Sequence, residues 1–465
     1  MTTVPARPGA VPQEEGGSAH AGAALLLASG ATFLALLDAT VVNVAFPDLH
    51  SSFPDVSVSR LSWVITAYAV VFAGLLAAAG RLADVVGRRR LFLISVLGFT
   101  ATSLAAGAAP SAAWLIAARA VQGATAAGMI PAALGLLLAH TPPARRAAAL
   151  GAWGAAGGIA AAVGPSLGGL LVDSWNWRGI FLINVPLGLL IGYGTSRLTA
   201  DKPSGKRLPD LLGMVAMVLA IGGPVTALSQ GADWGWTSPE VLLLFAAGVV
   251  FGAVVALRSR RHPAPAFETD LWRSPVFTAA NVTSALFGAA MYAWLLACPL
   301  FLASIWHYSV LKSGLGVTPG AFLAAVGAVI VGRRMPVEQQ WKAVVFGGVL
   351  AGASFAVMGL TLDSSPSYAA LWLPPGLLGG LGIGCVLTGL SSIASAALPA
   401  DRFAAGSGML MTSRQVGGAV GVAGLAVILE SEGLGSPDGF LTGFLWCGVT
   451  AVLAGVSAVA MRRRD

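Results

Sequence analysis

The chain has 465 residues, 56% of them apolar and only 10% charged, with a mean hydropathy of +0.80. Too little polar surface is present to coat that apolar content in water, which excludes a soluble enzyme or binding domain and places the chain in a bilayer. The net charge of +7 is spread over many short segments, so it reads as an orientation signal and excludes a nucleic-acid footprint.

The first 21 residues, rich in Pro and Gly, are expected to form a disordered cytoplasmic tail. The first apolar run is long and contains Asp38, so cleavage as a signal peptide is not expected. From residue 22 onward, apolar runs of about twenty residues recur, each able to cross about 30 Å of hydrocarbon at 1.5 Å per residue. Runs such as LLLFAAGVVFGAVVAL stay apolar throughout, where barrel strands would alternate. The expected fold class is therefore an all-α integral membrane protein.

Fourteen spans are predicted: 22–46, 61–80, 91–109, 113–138, 148–172, 179–197, 209–229, 239–258, 276–305, 313–333, 342–362, 369–397, 404–429 and 440–461. The run at 276–305 is long enough to tilt or break. An even count puts both termini on one side. With the N-terminus cytoplasmic, 22 of the 27 lysines and arginines fall in cytoplasmic segments, Arg119 and Arg414 lie inside spans, and only Arg60, Arg178 and Lys312 fall on the opposite side. Cys298, Cys385 and Cys447 all lie within spans and read as small buried hydrophobes, so neither a disulfide nor a metal site is expected.

A shift of 256 residues lays Gly128, Leu134, Pro143, Ala144, Arg146, Ala148 and Ala149 on Gly384, Leu390, Pro399, Ala400, Arg402, Ala404 and Ala405. The displacement spans eight helices, an even number, so the two copies run in the same direction, as in the parallel halves of a secondary transporter. The domains expected are a six-helix bundle at 22–200, two inserted helices at 201–262 and a second six-helix bundle at 263–465.

The fifth span, GAWGAAGGIAAAVGPSLGG, satisfies G-x-S-x-G at Gly164, Ser166 and Gly168. A nucleophile elbow needs a preceding strand and a buried histidine, and all five histidines fall in loops or at span edges, so a hydrolase is rejected. Small residues four apart (Gly154, Gly158 and Ala162; Gly164 and Gly168) instead permit close helix approach, and Pro165 can bend the span.

Three ionisable residues lie deep within spans: Asp38, Arg119 and Arg414. Each costs about 2.5–3.5 kcal/mol at a helix centre, so each should face the interior and find a partner. Asp38 and Arg119 sit at similar depths below the outer surface. Two readings stay open for them: a permanent ion pair that orients helices, or a protonation switch in which burial disfavours the charged carboxylate and the guanidinium favours it. Arg414, followed by Gln415, has no carboxylate at its depth, and either meets an anionic or carbonyl-rich substrate or bonds to backbone. Asn43 and Gln122 either add polar contacts to a cavity or join helices. Trp63 and Tyr68 either line that cavity or, for Trp63, anchor at the interface.

Several stretches, in this order, resemble the fourteen-span drug:proton antiporters of the major facilitator superfamily: LDATVVNVAFPDL at 37–49, GRLADVVGRRR at 80–90, RAVQGATAAGMIPA at 119–132, VGPSLGG at 163–169 and NWRGIFLINVP at 176–186. Ala160 departs from the glycine of the antiporter motif, and only GRR at 332–334 echoes the signature loop in the second half. The resemblance implies a major facilitator fold, two six-helix halves plus two central helices, alternating a central cavity between the two faces. It also implies proton-driven efflux of drugs or related hydrophobic molecules from the cell membrane. Gly80, Asp84, Gly87 and Arg88 would form a cytoplasmic gate, and Gly164, Pro165, Gly168 and Gly169 the bend of the antiporter helix. Importing a metabolite on the same fold is the alternative. No phosphate-binding G-x-x-x-x-G-K-[ST] loop occurs, so ATP is not the expected drive, no cofactor is expected, and a monomer should suffice. With Asp38 as the one acid deep in a span, a neutral, zwitterionic or weakly acidic substrate is favoured over a strict cation.

Overall fold

The computed structural model describes residues 15–56, 58–142, 145–199, 208–265, 267–398, 402–432 and 436–462. Fourteen longer helices follow one another: α1 (Glu15–Val44), α2 (Val58–Val86), α3 (Arg88–Gly107), α4 (Ala112–His140), α5 (Arg146–Trp175), α6 (Asn184–Ser196), α7 (Leu211–Trp234), α8 (Pro239–Arg261), α9 (Pro275–Ser304), α10 (Val310–Arg334), α11 (Gln340–Thr361), α12 (Leu373–Ala396), α13 (Phe403–Glu432) and α14 (Pro437–Ser457). No strand occurs among the described residues. Twelve helices are long and apolar enough to cross a membrane, with α6 extended backward by a one-turn helix from Gly179. In α2 and α5 the described apolar stretches are the shorter Trp63–Leu76 and Ala148–Ala160.

Local sequence explains where several helices begin. Ser238, Ser274 and Ser436 each precede a proline at the first helical position, and each serine hydroxyl accepts a backbone N–H of the first turn. Proline there sacrifices an N–H that has no helical partner, while the hydroxyl satisfies another. Gly87 separates α2 from α3 with φ 100°, a conformation that only glycine adopts without strain. One expectation shifts: helix α1 starts at Glu15, seven residues before the expected span. The long run at 276–305 does not break, and α9 is continuous through Pro299.

Helices α1–α6 pack among themselves, as do α9–α14. The two groups meet along two seams, α2 against α13 and α5 against α10. These are the second helix of one group on the fifth of the other, and the reverse. That exchange is what two parallel copies related by an axis along the membrane normal produce. The copies also start in register, since α5 begins at Arg146 and α13 at Phe403.

Helices α7 and α8 pair with each other, and α7 lies over the α2/α13 seam. There Met217, Val218, Ile221 and Val225 pack with Val70 and Ala73 of α2 and with Val416 and Ala419 of α13. Leu243, Val249 and Val250 of α8 stay exposed, as lipid-facing side chains should. At the start of α7, buried Asp210 accepts two hydrogen bonds of 2.7 Å from the Arg258 guanidinium of α8. That bond holds the Asp210 carboxyl below the ordinary carboxylate range. A depressed value in the folded state means stabilisation that is present above the ordinary range and is lost as pH falls through the depressed value. Thermal unfolding of detergent-purified protein should therefore separate wild type from Asp210→Asn at neutral pH, and the two melting curves should converge in acid.

Glycines set a close crossing in the second group. A Cβ on Gly288, Gly417 or Gly421 would collide with the backbone of Arg414, Ala285 or Ala289 on the facing helix of the α9/α13 pair. A side chain there forces the helices apart, an overpacking cost of about 1–3 kcal/mol. Gly417→Val should lower the melting temperature and the yield of monodisperse protein, whereas Gly252→Val on α8, where no atom lies within 4 Å, should change neither.

Candidate functional site

Five helices of the first group converge on one buried carboxylate. Asp38 of α1 and Gln122 of α4 have no exposed surface, and Arg119 is 1% exposed. Arg119 Nη1 donates to Asp38 Oδ2 at 2.5 Å and to Gln122 Oε1 at 2.8 Å, while its Nε donates to the Val64 carbonyl of α2 at 3.0 Å. Gln122 Nε2 donates to Asp38 Oδ1 at 3.1 Å and to Ser103 Oγ of α3 at 2.6 Å. Asn184, the first residue of α6, donates from Nδ2 to Asp38 Oδ1 at 2.8 Å and to Ser103 Oγ at 3.2 Å. The carboxylate therefore accepts from three side chains, and the guanidinium and the carboxylate neutralise each other out of reach of water.

Such an arrangement keeps a charge buried only because the partner and the hydrogen bonds are all present; removing one partner of a buried pair costs about 3–5 kcal/mol. Aromatic rings close the cluster. The Arg119 guanidinium lies 4.2 Å from the Tyr68 ring centre and 5.7 Å from that of Phe181. Tyr68 stacks on Phe72 and donates its hydroxyl to the Ala35 carbonyl of α1 at 3.4 Å. Helix α2, which carries this ring, is also the helix that packs against α13 of the other group.

A second ionic cluster ties the two groups at the basic-rich ends of the helices. Arg81, in the last turns of α2, makes a 3.1 Å contact to Glu268 Oε1 and donates to the Pro265 carbonyl at 3.4 Å. Arg402, just before α13, reaches Glu268 Oε2 at 3.8 Å. Glu268 belongs to the short segment between α8 and α9, so it bridges both groups from the connection itself. About two to three turns deeper, Thr412 of α13 donates to the Ala73 carbonyl of α2 at 3.2 Å.

The family model for the Major Facilitator Superfamily matches residues 28–422. The chain belongs to this superfamily. It is 35% identical over 421 residues to the multidrug resistance protein Stp of Mycobacterium tuberculosis, covering 87% of this chain and 75% of the relative. It is 34% identical over 404 residues to the puromycin resistance protein pur8 of Streptomyces alboniger, covering 86% and 80%. Against the methylenomycin A resistance protein of Streptomyces coelicolor the identity is 33% over 427 residues, with 91% and 89% covered. The protein is thus a multi-pass efflux transporter of the superfamily.

Within this superfamily frame the sequence-predicted residues fall in different places. Gln122 and Tyr68 lie inside the Asp38 cluster, with both ends of the Gln122 amide committed. Trp63 is half-buried near the start of α2. Arg414 is half-buried on α13, and its Nε is buried without a hydrogen-bond partner; no ion pair to it occurs among the described residues. Gln415 beside it is also half-buried. The side chains of Asn43, Asp84 and Pro165 lie outside the described residues.

In the signature loop Gly80 is buried, Gly87 makes the turn and Arg88 donates to the Gly135 carbonyl at 3.4 Å. Arg89 caps the end of α6, donating to the Thr195 and Ser196 carbonyls at 3.1 and 2.6 Å. Helix α5 is continuous through Pro165, with Ser166 inside it and no strand-to-helix turn, which removes the elbow reading structurally as well. A Cβ on Gly157, Gly164 or Gly168 would press on Leu36, Thr40 or Val41 of α1, and Gly169 is buried on the same helix. Gly154 and Gly158 meet nothing within 4 Å, because the helical period puts them on another face than the α1 contact.

Three participants were not singled out from sequence: Ser103, Asn184 and Glu268. Asn184 had a legible signal, the one side-chain amide within the predicted span 179–197. Glu268→Gln should loosen the tie between Arg81 and Arg402. Thiol labelling of a cysteine placed at Ala73, in a cysteine-free background and measured in inverted vesicles, should then speed up severalfold, and equal labelling rates would show that this contact closes nothing.

Proposed function

We propose that this transporter exports small hydrophobic molecules, antibiotics among them, in exchange for protons entering the cell, and that Asp38 is the proton carrier. The observation that carries the reading is the fully buried Asp38 held by Arg119, Gln122 and Asn184. A carboxylate so placed is stable charged only while Arg119 stays on it. Separating the two as the halves rock makes the charge costly and favours uptake of a proton. Returning Arg119 expels that proton, so conformation and proton affinity are linked.

The resistance and export proteins among the relatives support efflux as the direction, and the names of several are antibiotics. A proton falling through 100 mV supplies roughly 2.3 kcal/mol, enough for a nearly fiftyfold gradient at about 1.4 kcal/mol per decade. The basic residues favour both termini on the cytoplasmic side, with residues 22–200 and 263–465 as the two moving halves, 201–262 as the insert, and a monomer as the working unit. Glu268 with Arg81 and Arg402, together with the Gly80–Arg88 turn, would then close the cytoplasmic face. Arg414, with Gln415 beside it, has no acidic counterpart among the described residues, which supports a neutral, zwitterionic or weakly acidic substrate.

Inverted vesicles loaded with a pH-sensitive dye test this directly. Substrate addition should release protons from wild-type vesicles, and Asp38→Asn should abolish that release while leaving substrate counterflow measurable. Undiminished proton release in Asp38→Asn removes Asp38 from the coupling.

A further inference from the structure

The Asp38 cluster leaves one polar atom without a donor: Asn184 Oδ1, on a residue with no exposed surface. The other side-chain acceptors in the hydrogen bonds that link Asp38, Arg119, Gln122 and Ser103 are in use. Ser103 Oγ accepts from both Gln122 and Asn184, Gln122 Oε1 accepts from Arg119, and the Val64 carbonyl accepts from Arg119 Nε. A protonated Asp38 carries an O–H that must donate to something, because a buried donor without a partner costs about 1–3 kcal/mol. The atom available is the carbonyl of Asn184.

A half-turn of the Asn184 amide about its last side-chain bond exchanges Nδ2 and Oδ1 with almost no change in volume. The carbonyl then occupies the position 2.8 Å from Asp38 Oδ1. Ser103 Oγ, 3.2 Å from the same position, is a hydroxyl and can turn its own hydrogen toward that oxygen. Arg119 keeps the Val64 carbonyl, Gln122 and the Tyr68 ring as partners in either state.

We propose that Asn184 is the positioning residue of the proton site, donating to the carboxylate in one orientation and accepting from the carboxylic acid in the other. This rests on Asp38 being the proton carrier. The titratable and charged groups that face Asp38 are Arg119 of α4 and Tyr68 of α2. Helix α3 carries its arginines at its far end, α5 carries Arg146 and Asp173 at its two ends, and the titratable side chain of α6, Tyr193, is exposed. Asn184 is therefore the polar contact from α6 able to follow the change of charge.

Asn184→Leu keeps the volume and removes both roles. A hydrogen bond to a charged carboxylate is about twice as strong as the neutral one, so the loss weighs more on the charged form and the proton is held more tightly. In inverted vesicles, normalised by substrate counterflow, half-maximal substrate-driven proton release should move to a proton concentration about three- to tenfold lower. Asn184→Ser, which keeps a shorter polar group, should shift it in the same direction by less. An unmoved midpoint in both variants overturns the assignment of Asn184. Persistence of pH-dependent exchange in Asp38→Asn overturns instead the reading beneath it.

The unaltered protein gives a measurement that does not depend on how the variants fold. Infrared difference spectra between acid and alkaline pH should show a shifted asparagine side-chain carbonyl band that vanishes in Asp38→Asn. A pH-insensitive band overturns the proposal.

Discussion

A carboxylate inside a membrane-spanning bundle must be neutralised, by a cation or by a proton. In this chain the cation is Arg119, and the requirement fixes much of the first six helices. Asp38 and Arg119 can meet at 2.5 Å only if α1 and α4 approach at the same depth. Their remaining hydrogen-bonding capacity then demands Ser103 from α3, Asn184 from α6 and the Val64 carbonyl from α2. The cluster is thus a structural knot and a site whose charge depends on keeping its partners together.

The second constraint is that the two groups of helices meet chiefly along two seams. The α2/α13 seam is overlaid by α7 and tied at the basic-rich end by Glu268, which comes from the connection out of the inserted pair. The inserted helices therefore do more than lengthen the chain, since α7 packs on both groups across their seam. Tyr68, stacked on Arg119, belongs to α2, the helix that packs against α13 of the opposite group. In the proposed rocking, a displacement of α2 would move the ring that rests on the guanidinium, a physical route from domain motion to the charge pair.

Much of this was legible in the chain itself. Apolar runs at membrane length marked where the long helices lie, although α1 begins seven residues earlier and α2 ends six residues later than those runs indicate. The depth of Asp38 and Arg119 along their helices indicated that they could meet, because 1.5 Å per residue converts sequence position into height. Partners that depend on rotation about a helix axis were less legible. Asn184 and Ser103 are ordinary polar residues whose roles appear only once five helices are placed around Asp38. Likewise, Gly157 faces α1 while Gly154 and Gly158 face open space, although all fit a small-residue pattern. Glu268 was hidden because it sits in a connection, where acidic residues are common and carry no signal of depth.

The central claim is that Asp38 itself gains and loses the transported proton. Infrared difference spectra of membrane-reconstituted protein, recorded on substrate addition, test it most directly through the carbonyl stretch that only a protonated carboxyl group has. The account predicts a substrate-dependent band of this kind in wild type that is missing in Asp38→Asn. A band that survives unchanged in Asp38→Asn would place the proton on another group and contradict the account.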